Sequence, residues 1–242
     1  MKKARQLIVL TLLLILTACN QEEEKIDQFI LLERSNAMIS DADSFHASFT
    51  QDLLVSTFGF GSVVNLEGDV LIKRNTTTQP RMKSNISAHY MDVSNYTISF
   101  FAEAVPTVIN ETTGQTRQEL TTYEAAYDGM LSNLVDTHLM HDEIISSYFI
   151  ELPDGYELTF ILNNDALIRQ LGAIGEVVEE KNIRSGRFQI KISLDENLQQ
   201  TDVMLQIEVT HFRERIGLES INLSMRSQIL QLNDVEISLP SG

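Results

Sequence analysis

Histidine is the side chain most able to do acid–base or metal chemistry near neutral pH, and the chain holds five, at His46, His89, His138, His141 and His211. Only two fall together, in His138-Leu139-Met140-His141-Asp142-Glu143. That spacing is not the H-E-x-x-H pattern that sets two imidazoles and a base on one helix face, so the stretch reads as a solvated turn. A nucleophile elbow needs G-x-S-x-G, and the sequence has none. Gly172 and Gly175 sit inside a helical stripe, without the strand–glycine–helix context of a phosphate loop. Glu179 and Glu180 read as a solvated helix face. The single cysteine, Cys19, excludes a disulfide framework and any thiolate-based zinc site. No nucleophile is paired with a base. The sequence therefore points away from an enzyme, and no catalytic residue, cofactor or metal is expected.

Charge narrows the partners. The 242 residues carry 18 Lys and Arg against 34 Asp and Glu, a formal balance of −16. Such a surface repels phosphate, which disfavours nucleic acid and anionic membrane surfaces. With 43% hydrophobic residues, 4 Pro and 11 Gly, the chain has the composition of a folded domain.

At the N-terminus Lys2, Lys3 and Arg5 precede an apolar run from Leu7 to Leu16, interrupted by Thr11. As a helix that run rises about 15 Å, roughly half a bilayer core, so it reads as a signal peptide and not a membrane span. The next residues, Leu16-Thr17-Ala18-Cys19, resemble the lipobox of bacterial lipoproteins. That resemblance implies removal of residues 1–18 as a lipoprotein signal peptide. It also implies acylation of Cys19 by a diacylglyceryl group and palmitate-type chains, followed by a polar tether over 19–25. Stable anchoring requires more than one acyl chain, and such a modification supplies it. The expected location is the extracytoplasmic face of the cell membrane, the alternative being the periplasmic face of an outer membrane.

The mature chain reads as one domain over 26–242. Ile26, Phe29, Ile30, Leu32, Ala37 and Met38 predict a helix from Ile26 to about Ser40. The period then changes to two. Phe45, Ala47, Phe49, Leu53 and Val55 alternate with polar residues, as do Val64, Leu66, Val70 and Ile72 after a Gly59-Phe60-Gly61 turn. Further strands are expected over about 82–92 and 95–105, whereas 106–119 is polar and reads as a loop. Tyr123 and Tyr127 lead into an Asp128-Gly129 hairpin signal. Residues 137–150 read as a short helix followed by a strand. Pro153-Asp154-Gly155 is a turn signal. Asn164-Asp165 can cap a helix whose stripe is Leu167, Leu171, Ile174 and Val178. Strands around Phe188 to Leu194, Val203 to Val209 and Ile221 to Ile229 close the chain. About ten antiparallel strands with two or three helices define an α+β fold, in which the helices must cover the apolar face of a large sheet.

This order resembles the lipoprotein-carrier fold, the LolA-, LppX- and LprG-like family that includes uncharacterised Gram-positive lipoproteins. The match is carried by Ala47-Ser48-Phe49-Thr50-Gln51 on the first strand and by the ending Asn233-Asp234-Val235-Glu236-Ile237-Ser238-Leu239-Pro240. The resemblance implies an unclosed half-barrel with helices over its concave face and a lipid or other hydrophobic ligand bound between them. The residues expected to line that space are Phe45, Phe49, Phe100, Tyr123, Tyr127, Leu158, Phe160, Leu167, Leu171 and Ile174. The alternative is a structural or accessory cell-surface lipoprotein, with a packed core and an envelope protein as partner.

Overall fold

Period-two alternation places apolar side chains on one face of each strand, and the faces add up to one sheet. The computed structural model describes residues 27–58, 60–74, 81–90, 93–101, 107–110, 115–118, 130–131, 133–173, 176, 178–214 and 216–237. The strands are β1 (Ser44–Thr57), β2 (Phe60–Lys73), β3 (Arg81–Tyr90), β4 (Val93–Phe101), β5 (Thr107–Asn110), β6 (Gln115–Gln118), β7 (Ile144–Leu152), β8 (Gly155–Leu162), β9 (Ile183–Asp195), β10 (Gln200–Arg213) and β11 (Gly217–Leu232). They form one 11-stranded antiparallel sheet in the order β6-β5-β4-β3-β2-β1-β11-β10-β9-β8-β7. The first and last strands therefore pair in the middle, with Phe49 opposite Ser227 and Gln51 opposite Met225. Among the described residues no ladder joins the edge strands β6 and β7, so the sheet is open.

Among the described residues two helices lie on the apolar face. The first, α1 (Gln28–Asp41), starts at Asp27, whose Oδ1 accepts the Phe29 N–H at 2.9 Å, a side-chain N-cap. Its far end is closed by Arg74, which donates to the carbonyls of Ile39, Ser40 and Ala42 at 2.8, 2.8 and 3.1 Å. A guanidinium there satisfies orphan carbonyls and opposes the negative end of the helix dipole. The inward side of α1 carries the buried Leu32 and Ser35, whereas Ile30 and Met38 of the expected stripe are 45% and 37% exposed.

The second helix, α2 (Asn164–Ala173), is shorter than its apolar spacing predicts. Asn163, not Asn164 or Asp165, supplies the cap, its Oδ1 accepting the Ala166 N–H at 3.1 Å. The helix closes where the Glu176 N–H donates to Leu171 O at 2.9 Å, the reach of a Schellman-type end. Val178 lies beyond the helix, yet is buried with the same cluster.

One further expectation is corrected: part of the polar stretch 106–119 forms the edge hairpin β5–β6. Residues 137–150 hold a short helix, the 3-10 turn His141–Glu143, followed by β7. Tyr123, Tyr127 and the Asp128-Gly129 hairpin signal lie outside the described residues.

Among the described residues most buried apolar side chains fall into two clusters. One joins β8 to β11 with Leu32 of α1 and with Ala166, Leu167 and Leu171 of α2. The other joins Phe45, Ala47 and Phe49 of β1 with Val70, Ile72, Met82 and Met130.

Candidate functional site

A cavity of about 370 Å³ opens at the seam between these two clusters. Its floor is Phe45 of β1, Val203 of β10, and Met225, Ser227 and Ile229 of β11. One wall is the inward edge of α1 (Asn36, Ile39 and Ser40), and the other is Leu131 with the irregular chain from Leu134 to His138. Gln170, Gln200 and Arg74 complete the lining. The volume lies within the roughly 300–1,000 Å³ range of ligand pockets, and the mixture of apolar walls with a few polar groups is their usual composition.

Residues 133–140 form a strap over the concave face, held by backbone and side-chain hydrogen bonds. The Val135 N–H donates to Ser227 Oγ at 2.8 Å. Asn36 Nδ2 donates to Thr137 O at 2.9 Å, Thr137 Oγ1 returns a bond to Asn36 Oδ1 at 2.7 Å, and Gln200 Nε2 donates to the same Oδ1 at 2.6 Å. Helix, strap and sheet thus meet in one polar cluster at the cavity wall.

A second cluster clasps the strap to α2. Arg169 donates to Asp136 Oδ2 at 2.7 Å and to Glu143 Oε1 and Oε2 at 3.0 Å each. Glu143 also accepts the Met140 N–H at 2.9 Å. Burial pushes the Glu143 carboxyl up. The Arg169 and Met140 hydrogen bonds, with the Arg169 charge, outweigh that and hold its pKa below the ordinary value. The sequence reading of this stretch as a solvated turn is corrected for Glu143, which is buried. His138 and His141 are exposed and do not converge. His138 meets Asp136 at 3.2 Å, and His141 stands edge-on to the Phe29 ring at 5.5 Å. Among the described residues no three His, Cys, Asp or Glu side chains are grouped to hold a metal.

The expected lining residues take different places. Phe45 lies on the cavity floor, with the Arg74 guanidinium 5.4 Å above its ring. Phe49 is buried in the β1–β3 cluster, and Leu158, Phe160, Leu167 and Leu171 are buried in the β8–β11 cluster. Phe100 lies on β4, whose side chains are not described there. Tyr123, Tyr127 and Ile174 lie outside the described residues, as does Cys19. The remaining cavity residues escaped the sequence reading. A signal existed in β11, where Ser227 interrupts the inward run Ile221, Leu223, Met225 and Ile229.

The fold implied by the carrier resemblance is the fold observed, an open antiparallel half-barrel with helices over its concave face, to which the structure adds the strap. No family model matches the sequence, and no curated protein matches it. Among solved structures the chain is similar to LprF from Mycobacterium bovis, with a TM-score of 0.49 at 10% identity over 88% of this chain and 96% of that one. It is similar to lipovitellin, with a TM-score of 0.40 at 7% identity, over 82% of this chain and 26% of that one. It is also similar to a lipoprotein-sorting protein domain of the outer membrane from Vibrio parahaemolyticus, with a TM-score of 0.24 at 5% identity over 85% and 92%. No helix among the described residues is long and apolar enough to cross a membrane.

Proposed function

We propose that this chain is a membrane-anchored, non-enzymatic lipoprotein that holds a hydrophobic ligand between its sheet and its helices. The observation that carries the reading is the cavity of about 370 Å³ between α1, the strap and the β1–β11 seam. Close-packed interiors leave few voids larger than a water molecule, so a space of this size is a built feature. The anchor is Cys19, exposed as the new N-terminus after loss of residues 1–18, and the domain over 26–242 follows its short polar tether. An acidic body then stays at an extracytoplasmic membrane face that its surface charge would not seek.

Two measurements test this. Organic extraction or native mass spectrometry of the purified full chain recovers a bound hydrophobic molecule in the proposed case. A lipid-free protein that binds no hydrophobic probe overturns it. Cys19→Ser moves the protein from the membrane to the soluble fraction if the anchor is as proposed, and a membrane-bound Cys19→Ser protein overturns the anchor alone.

A second reading, an accessory lipoprotein with an envelope protein partner, draws on the hairpin tips. Phe58, Phe60 and Leu218 are 76%, 83% and 53% exposed there. Cross-linking in cells discriminates it: a partner lost in Phe58→Ser/Phe60→Ser, with ligand content unchanged, supports this reading.

A further inference from the structure

The cavity's size and polar inventory together restrict what it accepts. At roughly 30 Å³ per water-sized group, a methylene being comparable, 370 Å³ holds on the order of a dozen such groups. That is room enough for one acyl chain of about that many carbons.

The charged groups in the lining are already engaged. Arg74 donates to three carbonyls at the end of α1 and lies over Phe45. Asp136 Oδ2 accepts from Arg169 at 2.7 Å, and its Oδ1 accepts the His138 N–H at 2.9 Å. A charged head entering here would compete with these existing partners for Arg74 or Asp136, and burying it where neither is reached is costly. The overall balance of −16 adds a further penalty for an anion.

Neutral groups are differently placed. Gln200 Nε2 donates to Asn36 Oδ1 (2.6 Å) and Thr137 Oγ1 (3.4 Å), Gln170 Nε2 spends one N–H on Asp136 O (3.4 Å), and both carbonyl oxygens accept nothing among the described residues. The Ser227 oxygen accepts from Val135, which leaves its hydroxyl proton to donate. The wall therefore offers both acceptors (the two amide oxygens) and donors (the Ser227 hydroxyl and the second N–H of Gln170 Nε2), all uncharged.

We propose that the cavity takes a single-chain amphiphile whose uncharged head both donates and accepts hydrogen bonds, the chemistry of a monoacylglycerol, a fatty alcohol or a primary fatty amide. This rests on the ligand-holding reading above. The chain lies against Phe45, Val203, Met225 and Ile229, and the head meets Gln200, Gln170 and Ser227.

Titration calorimetry below the critical micelle concentration tests it with three probes of equal chain length: glyceryl monododecanoate, dodecanoate and dodecyltrimethylammonium. The glyceryl ester is expected to bind at least about tenfold tighter than either ion. Gln200→Leu is expected to erase that preference while dodecanoate affinity is kept. Should Gln200→Leu fail to fold, Gln170→Leu reads the same acceptor chemistry, and the wild-type ranking of the three heads decides by itself. Dodecanoate or the ammonium probe binding as tightly as the ester overturns the head assignment and leaves the cavity reading standing. Recovery of a two-chain lipid from the purified protein overturns the single-chain assignment. No binding of any probe, with lipid-free extracts, overturns the cavity reading itself.

Discussion

Leu171→Ala separates a filled interior from a ligand space. Leu171 is fully buried in α2, in the cluster that includes Leu167, Phe188 and Ile190. Among the described residues the cavity touches α2 only through Gln170, on the neighbouring position. Truncating a close-packed leucine costs about 2–5 kcal/mol, through lost transfer energy and the void left behind. In a chain of this size each kcal/mol lowers the melting temperature by about 2–4 °C, so calorimetry should show a fall of roughly 5–15 °C. Affinity for a fluorescent hydrophobic probe should stay within about twofold, because the cavity lining is untouched. The opposite pattern, a nearly unchanged melting temperature with a several-fold loss of probe affinity, refutes the reasoning. It would make α2 a lid over ligand space and redraw the boundary between core and cavity.

Glu143→Gln removes the charge that Arg169 pairs with, and should cost about 1–3 kcal/mol at pH 7. Because the native pKa of Glu143 is held below the ordinary 4.5, its contribution is complete above that value and drains away as pH falls through the native pKa. The melting-temperature gap between wild type and Glu143→Gln should therefore narrow below about pH 4.5, and a constant gap from pH 7 to pH 3 contradicts the ion pair. Ser227→Ala strips the strap of its bond from the Val135 N–H. It should cost about 1 kcal/mol and accelerate hydrogen exchange at the Val135 amide, and unchanged exchange contradicts the attachment. Gly217 has φ +89°, and a Cβ there would meet the Phe58 ring at 2.7 Å. Gly217→Ala should cost about 1–2 kcal/mol or more, read as a lowered urea midpoint, and a neutral substitution shows that the turn adapts.

Strand identity was legible wherever a strand has one wet and one buried face. Phe45, Ala47 and Phe49, or Phe188, Ile190, Ile192 and Leu194, announce themselves by period two and are buried as expected. The β5–β6 hairpin was not legible. Thr107-Val-Ile-Asn and Gln115-Thr-Arg-Gln sit at the sheet edge and are joined through backbone pairing, so their sequence carries little apolar alternation. The end of α2 was misplaced for the reverse reason: Val178 is apolar at helical spacing and buried, but it reaches the cluster from beyond the helix. The cavity was hardest to see. Its chemistry comes from Asn36, Thr137 and Gln200, three polar residues more than fifty positions apart in sequence that the fold brings within hydrogen-bond reach. The residues that fill a core and those that line a pocket are of the same type, so composition could not rank Phe45 above Phe49.

The strap is a consequence of the strand order. Pairing β1 with β11 places the two halves of the chain back to back, so β6 and β7 end up at opposite edges of an 11-stranded sheet. At about 4.8 Å between strands the flat distance from edge to edge is roughly 48 Å. In the sequence 25 residues separate β6 from β7, and at roughly 3.3 Å per residue a chain of that length reaches at most about 80 Å. They have enough length to cross, but little to spare for a route round the ends of strands as long as β1. The apolar face is also where a crossing segment gains most, since Val135 and Leu139 are buried there. A chain that crosses a concave sheet cannot fill it as closely as a helix laid along the strands. The space left between strap, α1 and the β1–β11 seam is the cavity, so the same pairing that fixes the topology also places that cavity where the two halves of the chain meet.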